Sequence, residues 1–285
     1  MKRAIVIQQD LNQIHTVEDL TTVFESIASI KIAKIRNRVV VGKEFFAELW
    51  QTYRSLRVDP KERLSHRSEL KNSRTALLVV TTEGRLSGEV GNKVIDEVIT
   101  AYQGMQDADI IVLGAYGESR LLQHGVPVKQ MYHLPDGEAD FDAVEVVSVI
   151  EPYEHVTIFY QTYESLRIQR VAKIELVTAM NNLSEAADSD TEPNEVVSSH
   201  EFIFEPNINE IADYLESLMI DVTISQVLME SRLAQFAGRF NAMNAAKHRA
   251  KDMRTEYDRL YHRAKRAEGD ERLKEIINVV KGQMA

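Results

Sequence analysis

The stretch that decides the fold is residues 225–282, SQVLMESRLAQFAGRFNAMNAAKHRAKDMRTEYDRLYHRAKRAEGDERLKEIINVVKG. It contains no proline, which predicts one helix from Ser225 to Gly282. Apolar or small residues recur along it at alternating steps of four and three, the a/d seam of a helix that pairs with a second helix. They are Met229, Leu233, Phe236, Phe240, Met243, Ala246, Ala250, Met253, Tyr257, Leu260, Ala264 and Ala267. The short step from Met243 to Ala246 predicts a local phase shift that overwinds the supercoil.

A second seam with the same alternation lies near the other end of the chain. It consists of Ala28, Ile32, Ile35, Val39, Gly42, Phe46, Leu49, Tyr53 and Leu56. Thr16 and Asp19 resemble a capping box at the start of this helix, and Pro60 predicts its end near Arg57. Two terminal seams favour an antiparallel coiled coil that closes over an inserted domain. Two unrelated helices on one core would show the same periodicity, so this alternative stays open.

The middle of the chain alternates strand-like and helix-like stretches. Apolar, β-branched runs predict strands at 76–81, 109–113, 126–132, 156–160, 168–178 and 201–204, and amphipathic runs predict helices at 90–102 and 142–150. This order predicts a Rossmann-like α/β domain with a mostly parallel sheet. Residues 181–199 are polar and acidic, which predicts a loop, and a kink is expected near 221–223. The predicted division is an extension at 1–15, a coiled-coil helix and connector at 16–73, the α/β domain at 74–205 and a coiled-coil helix at 206–285.

Composition narrows the class of protein. The chain has 285 residues, a net charge of −10 and no cysteine, which argues against general nucleic-acid binding and excludes disulfides and thiolate sites. Lysine and arginine are frequent in the terminal helices, which indicates that these helices meet an acidic surface. No apolar run approaches the roughly 20 residues that span a bilayer, and no signal peptide is evident, so we expect an intracellular protein of bacterial type.

A search for chemical motifs leaves no candidate catalytic, metal or cofactor site. Gly84, Gly88 and Gly91 follow the first predicted strand but lack the spacing of a dinucleotide-binding loop, so tight turns are the expected interpretation. A P-loop and a nucleophile elbow are also missing, and the histidines are scattered. We therefore expect no cofactor, no metal and no enzyme activity in the chain itself, and interpret it as a mechanical or binding component.

Four short motifs carry a family resemblance. Residues 78–88, LVVTTEGRLSG, are similar to the strand and turn L-V-V-S-T-D-R-G-L-C-G-G of the gamma subunit of F-type ATP synthases, and residues 204–207, FEPN, resemble its aromatic-E-P-D. Residues 237–246, AGRFNAMNAA, are similar to its A-A-R-M-x-A-M-x-A-A, and residues 31–34, KIAK, to its K-I-T-K. The motifs occur in the right order from about Ile14 to the C-terminus, so the chain resembles a divergent member of that family.

The resemblance implies a central rotor shaft that couples transmembrane ion flow to ATP synthesis or hydrolysis on other subunits. It implies alpha, beta and epsilon subunits and a c-ring as partners, at the cytoplasmic face of a bacterial inner membrane without insertion into it. It also implies contacts to the alpha/beta hexamer at Lys31, Lys34, Arg36, Arg239, Tyr261, Lys265, Arg266, Asp270 and Arg272. The implied contacts of the foot and c-ring are Phe204 and Glu205.

The chain departs from the family pattern where the shaft is implied to meet a beta-subunit loop. Only Tyr261 is kept, and Lys265 replaces an arginine whose bidentate geometry lysine does not reproduce. Three of the four altered positions are basic, so the facing loop is expected to offer carboxylates. Two other functions stay open from the residues alone: a coiled-coil adaptor or scaffold, and a stand-alone α/β enzyme with helical arms.

Overall fold

The computed structural model describes residues 4–55, 72–84, 90–105, 107–134, 143–189 and 208–283. The helices are α1 (Ala4–Ser55), α2 (Val90–Gln103), α3 (Ala115–Gln123), α4 (Ala143–Ile150), α5 (Leu176–Ser189) and α6 (Ile208–Gln283). The strands are β1 (Asn72–Val80), β2 (Ala108–Leu113), β3 (Gln130–Tyr132), β4 (Tyr153–Tyr163) and β5 (Gln169–Glu175). These elements form two compact units, residues 1–29 with 239–285 and residues 30–238. We call them the helical unit and the α/β unit.

The α/β unit is built on a sheet of order β3-β2-β1-β4-β5. The strand pairs β1–β2, β1–β4 and β2–β3 are parallel, and only β4–β5 is antiparallel. The central strand β1 is apolar along 76–80 and fully buried there, as expected for a strand covered on both faces. The predicted α/β fold with a mostly parallel sheet is confirmed.

Alternate residues of the sheet belong to two different hydrophobic clusters. Leu77 and Val79 point to the face covered by α2 and α3, whereas Leu78 and Val80 point to the face covered by α4 and part of α6. Ile224, Val227 and Leu228 are the buried residues that α6 adds to this second face. The sheet therefore has helices on both sides, and α6 belongs to its core.

In the α/β unit, α1 and α6 pack against each other in antiparallel directions. Gln226 donates a hydrogen bond to the Val39 carbonyl at 2.9 Å, and the Tyr53 hydroxyl donates to Glu216 Oε1 at 2.7 Å. The predicted α1 seam is buried at Ile35, Phe46 and Tyr53 and half-buried at its intervening described positions. The helices approach closely: a Cβ built on Gly42 would lie 2.5 Å from Gln226 Oε1.

The helical unit contains the beginning of α1 and the end of α6, again antiparallel. Ala4 donates its backbone N–H to Glu268 at 2.8 Å, Arg254 pairs with Glu18 at 2.7 Å and Lys247 with Glu25 at 2.9 Å. Ala4, Ile7 and Ala264 form its buried apolar cluster, with Tyr257 and Tyr261 packed against them. The numbers of the paired residues sum to 272 in all three polar contacts, so the register is constant along the unit.

The predicted phase shift in the α6 seam is wrong. Burial and contacts select a regular four-three series that passes through Lys247, Arg254, Tyr261 and Glu268. Apolarity had selected Ala246, Met253, Leu260 and Ala267 instead, of which Met253 and Leu260 are exposed by 47% and 39%. Charged residues occupy the seam because α1 places an opposite charge or a hydrogen-bonding group opposite each of them.

Two further predictions are corrected. Helix α1 begins at Ala4 rather than near Thr16, so the β-prone run 4–7 is helical and residues 4–15 continue α1. Residues 181–189, predicted as loop, belong to α5, and the rest of that predicted loop, 190–199, lies outside the described residues. The segment 221–223 is part of α6, and the kink expected there stays a prediction. The predicted strand 201–204 and seam residue Leu56 lie outside the described residues.

A polar cluster closes the amino-terminal edge of the sheet. Asp109 accepts hydrogen bonds from Lys129 Nζ and from the Tyr153 hydroxyl, each at 2.7 Å, and Arg74 lies 3.6 Å away. Desolvation acts to raise the pKa of Asp109, but the two hydrogen bonds and the positive charges of Lys129 and Arg74 outweigh it and lower the pKa. Asp109 therefore stabilises the fold in its ionised form.

Asp109→Asn is expected to lower the free energy of unfolding by about 2–3 kcal/mol at pH 7, because the hydrogen bonds lose their charged acceptor. The pKa of Asp109 is lower in the folded state than its unfolded value of 3.8, so its ionised form contributes full stability at pH values above 3.8. This contribution is lost as the pH falls through the pKa of the folded state. Urea unfolding at pH 7 and at acidic pH checks this. The difference between variant and wild type should shrink on acidification, and a constant difference would contradict the assignment.

Candidate subunit-contact surface

The predicted contact residues of α6 divide between the seam and the outer surface. The Tyr261 ring is half-buried against the Ala4–Ile7 cluster, and its hydroxyl donates to Gln8 Oε1 at 3.3 Å. Lys265 lies one turn later with its ammonium 5.8 Å from the centre of that ring. Tyr261 is thus a seam residue that also supports Lys265, and its ring is not directed freely outward.

The other altered positions of α6 are exposed. Lys265, Arg266, Asp270 and Arg272 all lie on the surface of the helical unit. Arg266 Nε donates to the His262 carbonyl one turn back at 3.3 Å, which leaves its terminal nitrogens toward solvent. Three of these four exposed side chains are cations, and all four are accessible to another molecule. We call the four positions together the basic surface.

The predicted positions elsewhere have mixed surroundings. In the α/β unit, Lys31 is half-buried while Lys34 and Arg36 are exposed on α1. In the helical unit, Arg239 is half-buried. The two predicted foot residues, Phe204 and Glu205, lie outside the described residues.

Sequence reasoning missed a row of exposed apolar side chains on the part of α1 that belongs to the helical unit. Val17, Leu20, Val23, Phe24 and Ile27 are exposed by 40–54%, whereas the seam residue Ala28 is fully buried. These five positions fall between the seam positions, so they cover the side of α1 away from α6. The signal was present in the sequence as apolar residues out of phase with the seam.

A second missed feature is the last part of α6. Ala4, the first described residue of α1, contacts Glu268, and among the described residues α1 offers none opposite 269–283. This end carries large apolar side chains on its surface. They are Leu273, Ile276, Ile277 and Val279, exposed by 46–63%. Exposed apolar groups of this density mark a surface that another protein covers.

The described part of the loop after β1, which sequence analysis had compared with a dinucleotide-binding loop, has a structural role. The Glu83 carboxylate accepts hydrogen bonds from the backbone N–H groups of Leu134 and of Ala115, and it contacts His133. These contacts tie the end of β1 to the segments after β2 and β3. Within the described ranges, no group of three metal-binding side chains comes together, and no helix is long and apolar enough to span a membrane.

Comparison with known proteins identifies the family. A family model described as ATP synthase matches residues 4–285. The ATP synthase gamma chain of Legionella pneumophila (strain Corby) is 24% identical over 97% of this chain and 98% of its own length. The chain belongs to the ATP synthase gamma family. The gamma chain of Halothermothrix orenii is a further relative of this gamma-family protein, 22% identical over 95% of this chain and 96% of its own length.

Solved structures share the fold of this gamma-family chain. The central stalk and c-ring structure of the Tetrahymena thermophila mitochondrial ATP synthase contains a chain with TM-score 0.57 and 19% identity, covering 80% of this chain and 99% of that one. A chain of the Euglena gracilis mitochondrial ATP synthase, in a structure with OSCP, F1 and c-ring, has TM-score 0.61 and 15% identity, covering 98% and 94%. This chain therefore shares its fold with chains of solved ATP synthase structures.

Proposed function

We propose that this gamma-family chain is the central rotor shaft of a rotary ATP synthase and couples transmembrane ion flow to ATP synthesis or hydrolysis on partner subunits. The observation that carries the proposal is the pairing of α1 and α6 through a regular seam that leaves the basic surface and the apolar end of α6 uncovered. A shaft needs a rigid pair of helices and an outer surface that contacts its surroundings.

In this proposal the nucleotide chemistry takes place on the partners, and the chain is not an enzyme by itself. The alpha and beta subunits surround the helical unit, and the epsilon subunit and c-ring contact the foot, which includes Phe204 and Glu205. The complex lies at the cytoplasmic face of a bacterial inner membrane, with this chain peripheral to it. Lys31, Lys34, Arg36 and Arg239 are proposed as further contacts of the hexamer.

The basic surface is proposed as the contact with a loop of the beta subunit. Lys265, Arg266 and Arg272 are exposed cations, and enclosing them without partners costs several kcal/mol, so the facing loop should carry carboxylates. Exposed ion pairs contribute only about 0–1 kcal/mol each, which lets the shaft move past successive loops without a deep energy minimum.

Replacing Lys265 and Arg266 together by glutamate is expected to reduce ATP-driven ion pumping about tenfold, because two ion pairs of about 0.5–1 kcal/mol are lost. Pumping is measured in vesicles containing the reconstituted complex at low ionic strength, where screening is weakest. Subunit assembly should be unchanged by co-purification.

The matched control replaces Arg249 and Lys251, two exposed cations earlier on the same helix, by glutamate. We expect this control to pump at nearly the wild-type rate. Wild-type pumping by the Lys265/Arg266 variant would remove the basic surface from the coupling contact. Isolation of the wild-type chain from its cell without ATP synthase subunits would contradict the shaft itself and favour the adaptor.

A further inference from the structure

The α/β unit contains a cavity of about 540 Å³ that the shaft function does not use. Its walls come from α1, α5, α6 and the sheet strands β4 and β5. The walls are mostly apolar, as at Val40, Ala47, Ile174, Leu183 and Val227. A space of this size accommodates a small organic molecule.

Two polar groups in this cavity have unused hydrogen-bonding capacity. Tyr160 of β4 is almost fully buried, with 7% of its surface exposed. Glu230 of α6 is half-buried. Among the described residues, none lies within hydrogen-bonding distance of the Tyr160 hydroxyl or of the Glu230 carboxylate. Burial raises the pKa of both groups. The positive charge of Lys43 partly offsets this effect at Glu230, and the negative charge of Glu230 adds to it at Tyr160.

The neighbouring polar side chains already have partners. Gln226 donates its amide to the Val39 carbonyl, and the Thr223 hydroxyl donates to the Met219 carbonyl. Tyr160 and Glu230 are therefore available to a guest molecule in this mostly apolar cavity.

The charges around the cavity favour a cation. Lys43 and Glu44 of α1 line it from exposed positions and have opposite charges, whereas α5 contributes Asn182 and apolar residues but no ionisable side chain. Lys43 also acts on Glu230, and together the lining residues carry two carboxylates and one ammonium, which leaves a net charge of −1. An ammonium group matches it, since the ammonium donates to the carboxylate and to the phenolic oxygen of Tyr160.

We propose that this cavity binds a small amphipathic amine, with its ammonium group between Glu230 and Tyr160 and its apolar body against the walls formed by α1, α5 and α6. Because the guest contacts three helices and the sheet at once, its binding stabilises the α/β unit. This site is independent of the shaft function and of the basic surface.

Titration calorimetry of the full chain with n-hexylamine, n-hexanol and hexanoate tests the proposal. The amine should bind with a saturable isotherm and raise the melting temperature. The alcohol should bind at least about tenfold more weakly, since it cannot make a charge-assisted hydrogen bond to the carboxylate, and hexanoate should not bind. Equal binding of the three probes, or binding of none, as in a cavity that holds only water, would overturn the proposal.

Variants locate the amine. Glu230→Gln should weaken hexylamine binding about tenfold without changing hexanol binding, whereas Glu185→Gln, at an exposed position of α5 outside the lining, should change neither. Ala47→Leu fills the cavity from α1 and should abolish binding of the amine and the alcohol. Circular dichroism verifies that each variant is folded. If Glu230→Gln does not fold, the Ala47→Leu result alone tests whether the amine binds in this cavity. Amine binding that is undiminished in either folded variant would show that the amine binds elsewhere.

Discussion

Gly114→Ala is expected to lower the free energy of unfolding by about 3–5 kcal/mol, as the sum of backbone strain and overpacking. Gly114 follows β2 with φ of 101° and ψ of 128°, a conformation that residues with a Cβ rarely adopt. A Cβ at this position would lie 2.8–2.9 Å from backbone atoms of Thr81 and Thr82. Thr81 and Thr82 directly follow the central strand β1, and the Thr81 N–H donates to the Leu113 carbonyl of β2, so this backbone cannot move away as a flexible side chain can.

A matched variant separates the two causes. Gly125 also has a positive φ, of 73°, but nothing lies within 4 Å of a Cβ built on it. Gly125→Ala should therefore cost only the about 1–2 kcal/mol of a left-handed conformation. Denaturant unfolding of both variants gives the comparison, and similar losses in the two would show that the contact with β1 contributes little.

Glu25→Lys is expected to lower the free energy of unfolding of the helical unit by about 2–3 kcal/mol. This loss lies between the values typical of exposed and of fully buried ion pairs. Glu25 accepts hydrogen bonds from Lys247 at 2.9 Å and Asn244 at 2.8 Å, and its side chain is only 16% exposed. The hydrogen bond from Lys247 is the main cause that lowers the pKa of Glu25. The reversed charge would place two ammonium groups against each other in the seam.

The reciprocal variant Glu25→Lys with Lys247→Glu should recover most of the loss, because it restores an opposite pair in the same register. Asp19→Lys is the control on the same helix. Among the described residues Asp19 pairs only with His15, and both side chains are more than 60% exposed, so a loss of about 0.5 kcal/mol or less is expected. Thermal unfolding followed by circular dichroism measures wild type, Glu25→Lys, the double variant and Asp19→Lys. A double variant no more stable than Glu25→Lys would show that the pair does not set the register.

The sequence predicted the sheet well because its signal is local and redundant. Residues 76–80 and 109–113 are continuous apolar runs, and buried parallel strands require such runs. Helix α5 was missed because its Asn181, Asn182 and Ser184 are typical of loops, whereas packing of Ala179 and Met180 favours the helix. Tertiary contacts of this kind are not visible in a short window of sequence.

The helical unit shows where an apolar pattern is insufficient. Glu18, Thr21 and Glu25 interrupt the apolar series of α1, so its seam could be followed only from Ala28 onward, although burial extends it to Ala4. The cations that make these glutamates acceptable lie more than 200 positions away in the chain. Only knowledge of the pairing register reveals them, and the register is a property of the fold.

The candidate contact surface was predicted only in part. The exposed positions of Lys265, Arg266, Asp270 and Arg272 agree with a contact surface, and their roles stay a prediction. The apolar row on α1 was missed because its residues lie between the seam positions, where a coiled-coil pattern predicts polar side chains. The cavity next to Glu230 could not be predicted from the sequence, since its walls come from four separate parts of the chain.

The two charge pairs in the seam of the helical unit oppose lengthwise sliding of α1 against α6. A lengthwise displacement of one helix by a heptad toward higher α6 numbers would move Glu25 opposite Arg254 but leave Glu18 facing Tyr261. The opposite displacement would move Glu18 opposite Lys247 but leave Glu25 facing Phe240. Either displacement leaves one charge pair instead of two and places the other carboxylate against an aromatic ring. The two helices therefore resist a lengthwise slip by one heptad in either direction.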